Sequence, residues 1–153
     1  MSAAGSVCVG LALVLLYVST ASADQSRFHA TDPVWQEECG ACHVAYPPQL
    51  LPASGWRAVM SGLDRHFGAD ASLDAQTAGH VGAFLERNAG RRREGRGASV
   101  TRITETHWFL DEHDYLPPGI WRRPEVRSAA NCPACHTQAE SGDYGKRTRR
   151  VPR

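Results

Sequence analysis

Apolar positions in this sequence fall in short helical bursts separated by polar, glycine- and proline-containing stretches, and no strand–helix alternation of the βαβ kind interrupts them. Trp56, Val59, Met60, Leu63 and Phe67 recur at i, i+3, i+4, i+7 and i+11, which predicts a helix running through His66 with Ser54 placed to cap it. At about 100° per residue, His66 falls at the edge of that stripe while Arg57, Ser61 and Arg65 point away. A second helix is predicted from Ala75 to Asn88, with His80 on its flank and Gly90 ending it. A third runs from Thr104 to His113 behind a threonine cap, and Pro117-Pro118 stop it. Phe109 and His113 are one turn apart on that helix and share a face. Glycines and arginines from Gly90 to Gly97 mark a flexible connection. The pattern predicts a mostly α chain of short helices with substantial loop.

The N-terminus carries a different pattern. Residues 1–23 contain no Asp, Glu, Lys or Arg, and an apolar run from Val7 to Val18 ends in Ser19-Thr20-Ala21-Ser22-Ala23. This predicts a secretory signal cleaved after Ala23, which places the remaining 24–153 domain in the periplasm. An uncleaved membrane anchor is the alternative, but the run falls short of the ~20 residues a span needs. Cys8 lies at the very start of the run and leaves with it.

Composition becomes informative once the leader is set aside. The 153 residues carry 17 Lys+Arg against 16 Asp+Glu, a formal charge of +1, which excludes an unassisted nucleic-acid binder. The five cysteines, an odd number for a disulfide framework, become four: Cys39, Cys42, Cys132 and Cys135. The apolar share drops from 42% to about 37%, lean for a core made by protein alone. Something else is expected to fill the interior.

Each cysteine pair is followed at once by a histidine: Cys39-Gly40-Ala41-Cys42-His43 and Cys132-Pro133-Ala134-Cys135-His136. C-x-x-C-H is the attachment pattern of c-type haem, in which two thiols meet the two vinyl groups and the adjacent imidazole faces the iron. A structural zinc site, a dithiol redox site and two disulfides compete for the same cysteines. Zinc does not require a histidine after each pair, and the redox reading lacks its βαβ pattern. Two covalent haem c groups are therefore expected, with His43 and His136 as proximal ligands.

The sixth position of each iron decides whether a haem binds small molecules or only passes electrons. His29, His66, His80, His107, His113 and Met60 are available for it. One methionine cannot serve two haems, so at least one haem has two histidines, an open position or an unusual ligand. His66 and His113 are favoured by helical phase, although His66 also suits a core position. Met60 suits core packing, His107 sits solvated at a helix start, and His29 and His80 belong to the surface.

These residues resemble the bacterial dihaem cytochromes c that partner a small oxygen-binding monohaem cytochrome. The resemblance rests on Glu38 to Pro52 (ECGACHVAYPPQLLP), on Trp56 to Leu73 around Asp64-Arg-His-Phe-Gly68, on Arg102 to Thr106, and on Trp108-Phe109 with His113. It continues through Ser128 to His136 into the Arg-rich tail. It implies a mostly helical fold around two bis-histidine haems and an electron-transfer role, with distal ligands at His66 and His113. His107 departs from the family's more usual proline and is not implied as a ligand. The implied partners are a membrane b-type, quinol-oxidising cytochrome as donor and the monohaem cytochrome as acceptor; the chain itself is expected to be a monomer that meets membrane only through its partner.

Charge adds a polarity. Residues 24–88 sum to about −4 and residues 89–153 to about +5, with basic groups at Arg91-Arg92-Arg93 and Arg96 and at Lys146, Arg147, Arg149, Arg150 and Arg153. These are either a solvated loop and frayed tail, or charges that steer an acidic partner or pair with haem carboxylates. Three functions compete: a dihaem electron carrier, a small haem enzyme (reductase or peroxidase) with one open haem, and a haem-based sensor. The ligand count separates the first two.

Overall fold

The computed structural model describes residues 28–91 and 100–153. The leader with Cys8, and most of the predicted 90–97 connection with Arg92, Arg93 and Arg96, lie outside the described residues.

Helix α1 (Pro33–Gly40) opens on a proline, whose missing N–H costs nothing at that position, and Asp32 caps it by accepting from the Trp35 N–H at 3.0 Å. Its last turn carries Cys39. Helix α2 (Ala53–Met60) follows a 3₁₀ turn at Pro48–Leu50, and α3 (Ala75–Arg87) starts on Asp74, which accepts from the Gln76 and Thr77 N–H groups. The three helices bury Trp35, Leu51, Trp56, Val81, Phe84 and Leu85 together. Trp35 and Phe84 meet at 5.2 Å between ring centres, and the Trp56 indole donates to the Pro48 carbonyl at 2.6 Å. Gly90 lets the chain leave this core closely, because a Cβ there would collide with the Gln49 backbone.

Residues 100–153 are built differently. Helix α4 (His107–His113) is the α-helix of this part; 3₁₀ turns at Ile103–Glu105, Ile120–Arg122, Cys132–Ala134 and Ala139–Ser141 supply the rest. The C-terminal tail is tied back and not frayed. The Arg150 N–H donates to the Cys135 carbonyl at 2.7 Å, the Thr137 N–H to Thr148 at 3.1 Å, and the Arg123 guanidinium to Pro152 at 2.9 Å. Residue 28 crosses over this loop, its N–H donating to the Gly142 carbonyl at 2.9 Å, where φ of +75° and the close backbone call for glycine.

The mostly helical expectation holds: among the described residues there are four α-helices, no strands and only isolated bridges such as His136 to Arg149. None of the described helices is long and apolar enough to cross a membrane. The third predicted helix is shorter and starts behind the expected threonine cap, which is Thr106. The first is corrected more substantially. Pro52 occupies the cap position instead of Ser54, and α2 ends at Met60 with Ser61 as its C-cap, since Gly62 (φ −129°, ψ 29°) leaves helical geometry. His66 thus follows a separate 3₁₀ turn at Leu63–Arg65, and Phe67, read as part of the apolar stripe, is 48% exposed.

Candidate functional site

The break after α2 is what aims His66. The Ala69 N–H donates to the His66 carbonyl at 3.0 Å and the Ala71 N–H to Leu63 at 2.8 Å, closing a tight turn in which Phe67 takes φ of +51°. A non-glycine residue held there costs of order 1–3 kcal/mol and persists where the surroundings fix it. Phe67 packs edge-on against His66 at 4.8 Å, and the Arg102 guanidinium lies 4.4 Å above the Phe67 ring. So held, His66 faces His43 of the first C-x-x-C-H motif, with ring centres 6.2 Å apart and planes at 24°. On the other side Tyr46 stacks on His43 at 4.6 Å and 22°.

The second motif repeats the arrangement. His113, the last residue of α4, faces His136 with ring centres 6.2 Å apart and planes at 78°. Phe109 lies one turn back on α4 and stacks on His113 at 4.1 Å. Tyr144 packs against His136 at 5.1 Å. The two regions touch through Tyr46, whose hydroxyl donates at 2.6 Å to the carbonyl of Ala130, two residues before Cys132.

A separation of 6.2 Å between ring centres is wider than a close stack such as Tyr46 on His43 at 4.6 Å. Two metal–nitrogen bonds of about 2 Å each, plus roughly half a ring width at either end, come to about this distance. The tautomers agree. His43 Nδ1 lies 2.8 Å from the Val44 carbonyl and His113 Nδ1 lies 2.7 Å from the Phe109 carbonyl. A carbonyl only accepts, so each Nδ1 carries the proton and each Nε2 keeps its lone pair, the form that binds a metal. Burial and the neighbouring His43 hold the His66 ring below its ordinary pKa; burial and His113 do the same for His136. The neutral ring is thereby favoured at His66 and at His136. The Tyr144 hydroxyl is buried without a hydrogen-bond partner, as a polar atom left for an occupant would be.

Both pairs and all four cysteines line one cavity of about 1440 Å³. A pocket for a single small ligand spans ~300–1,000 Å³, so this one has room for two bulky groups. Its walls include Trp56, Leu63, Trp108 and Trp121, with Arg102, Lys146 and Arg147 adding positive charge. Burial pushes the Cys39 and Cys132 thiols up to about 11 and raises Cys135 as well. A redox dithiol needs the opposite shift, so the environment disfavours that reading. Among the described residues no three His, Cys, Asp or Glu side chains converge on a point, as a tetrahedral zinc site would require. Opposed imidazoles in pairs suit instead a metal whose other four ligands come from a macrocycle.

Of the remaining candidates, Met60 lines the same cavity, whereas His29, His80 and His107 do not. Met60 is half-buried against the α1–α3 core; His29, His80 and His107 are exposed, and His80 pairs with Asp32 at 2.9 Å. Tyr46, Phe67 and Tyr144 were not visible as ring neighbours in the sequence. The spacing of Tyr46, three residues after His43, was a usable signal; Tyr144 offered none.

The chain matches the family model described as dihaem cytochrome c over residues 35–144. It is similar in structure to the diheme cytochrome c from Rhodobacter sphaeroides, with 40% identity, a TM-score of 0.70, and coverage of 76% of this chain and 99% of that one. A diheme cytochrome type c from Shewanella baltica is 36% identical, with a TM-score of 0.69 over 78% of this chain and 92% of its own. No curated protein matches.

Proposed function

The chain belongs to the dihaem cytochrome c family, with two haem c groups and haem-based electron transfer as its chemistry, and on that premise we propose that it is a periplasmic electron carrier with bis-histidine ligation at both irons. In this reading Cys39 and Cys42 attach the first haem and Cys132 and Cys135 the second. His43 and His136 are the proximal ligands, and His66 and His113 the respective distal ones. The carrying observation is that each motif histidine faces one distant histidine across 6.2 Å.

Bound haem supplies a one-electron couple, and the chain does the rest. His66 and His113 would fill the positions that an open haem offers to substrate, so the chemistry the two groups would supply is electron transfer without bond making. The apolar walls exclude water and the backbone carbonyls of Val44 and Phe109 keep His43 and His113 in the binding tautomer. Without a methionine ligand both potentials lie below those of His/Met cytochromes. Lys146, Arg147 and Arg102 at the cavity suit the haem carboxylates. The donor is a membrane b-type cytochrome, the acceptor a small monohaem cytochrome, and the carrier is a monomer exported by its leader.

Absorption spectra of the reduced holoprotein with and without carbon monoxide test this. Two low-spin haems unaffected by the gas at neutral pH are expected. Rapid stoichiometric binding would replace the carrier by a haem enzyme.

A further inference from the structure

The two ring pairs share a separation and differ in orientation: His43 and His66 lie within 24° of coplanar, whereas His113 and His136 stand crosswise at 78°. We propose that Phe109 is a positioning residue that holds His113 crosswise to His136, and that this orientation makes the second haem the one on which an electron comes to rest. The proposal rests on the reading that each facing pair ligates one iron.

Several contacts determine the His113 plane. Its Nδ1 donates to the Phe109 carbonyl at 2.7 Å, which fixes one point of the ring and leaves it free to turn. The Phe109 side chain removes that freedom: it is buried, it stacks on the imidazole at 4.1 Å and 23°, and Trp121 backs both rings at 6.0 and 5.8 Å. At the first pair Tyr46 performs the corresponding stack on His43, at 22°, and leaves that ring nearly parallel to His66. One aromatic ring at one imidazole face thus sets each plane, with opposite outcomes.

Orientation of second-sphere origin has an electronic consequence. Coplanar imidazoles donate into the same iron dπ orbital, raise it, and stabilise the ferric hole that occupies it. Crosswise imidazoles donate into different dπ orbitals and leave them nearly equal, so the ferric state loses that stabilisation and the reduced state gains relative to it. In a molecule holding one electron, the first iron(II) becomes iron(III) and the second iron(III) becomes iron(II), with no proton moved and no bond changed. The electron then sits in the basic part of the chain, beside Arg149, which is bridged to His136.

Low-temperature electron paramagnetic resonance of the oxidised holoprotein tests the proposal. One rhombic low-spin signal and one strongly axial signal with a much larger principal g value are expected. Stepwise reduction with dithionite should remove the axial signal first. Two similar rhombic signals, or loss of the rhombic one first, would overturn the proposal while leaving the ligation intact; a high-spin signal would instead contradict the ligation and the proposal with it. In Phe109→Leu the axial signal should move toward the rhombic type with the first site unchanged, and Phe109→Tyr should restore it. If Phe109→Leu does not fold, Trp121→Leu should give a smaller shift in the same direction. An unchanged axial signal in the folded variant refutes the role of Phe109.

Discussion

The surroundings of His43 and those of His136 reach the same ring spacing by different means. Residues 28–91 carry three α-helices whose apolar side chains bury one another, and His43 and His66 hang from the edges of that core. Residues 100–153 hold α4 and a series of 3₁₀ turns; Phe109, Ile120, Val126 and Ala139 are buried there but lie outside that cluster, and backbone hydrogen bonds from the tail do much of the fastening. The first site is a protein core with a haem position beside it. The second is a haem position around which chain is wound, and its order depends more on the occupant.

Removing both haems should have the largest effect. The cavity of about 1440 Å³ would lie open on both sets of apolar walls, so protein made without attachment machinery should lose most of its helical circular dichroism and its cooperative unfolding. Strong helicity in that material would erase the distinction drawn above. Removing one haem should reveal it. Cys132→Ser with Cys135→Ala is expected to leave a protein with one haem and the α1–α3 signal, whereas Cys39→Ser with Cys42→Ala should give less than one haem per chain, because the second region leans on the first through Tyr46 and Phe28. Equal haem content in the two variants would contradict this.

A smaller effect is expected at the cap of α4. Thr106 is fully buried; its hydroxyl accepts from the Phe109 N–H at 3.3 Å and donates to Ile103 at 2.7 Å. Thr106→Ala should cost about 1–2 kcal/mol in denaturant titration and perturb only the second haem's spectrum. The smallest concerns α1. The Trp35 backbone N–H, aided by the His80 ring, holds the Asp32 carboxyl below the ordinary carboxylate range. A depressed folded value means that the contribution is complete above about pH 4 and fades as pH falls through the lower folded pKa. Asp32→Asn keeps a capping oxygen but cannot titrate, so its urea midpoint should fall less steeply below about pH 4 than that of the wild type.

The sequence disclosed the chemistry better than the path of the chain. Two C-x-x-C-H motifs pointed to haem attachment, a single mature methionine ruled out His/Met ligation at both irons, and helical phase favoured His113, which α4 presents one turn from Phe109. His66 was selected for a reason that fails: the apolar stripe through Phe67 is not one helix, because Ser61 and Gly62 end α2 and a left-handed residue turns His66 back toward His43. The spacing of side chains along a stripe carries no record of such a turn. Of the rings packed on the motif histidines, Tyr46 was signalled by its place three residues after His43, whereas Tyr144 reaches His136 through a local loop bridged at Gln138 and Asp143 that left no pattern in the sequence.

The pairing itself is tested most directly by replacing one distal ring at a time. His66→Ala and His113→Ala are each predicted to convert one haem to a high-spin, carbon monoxide-binding form and to leave the other low-spin, with the first variant retaining the spectrum of the Cys132–His136 site and the second that of the Cys39–His43 site. Two haems that stay low-spin in either variant would contradict the account.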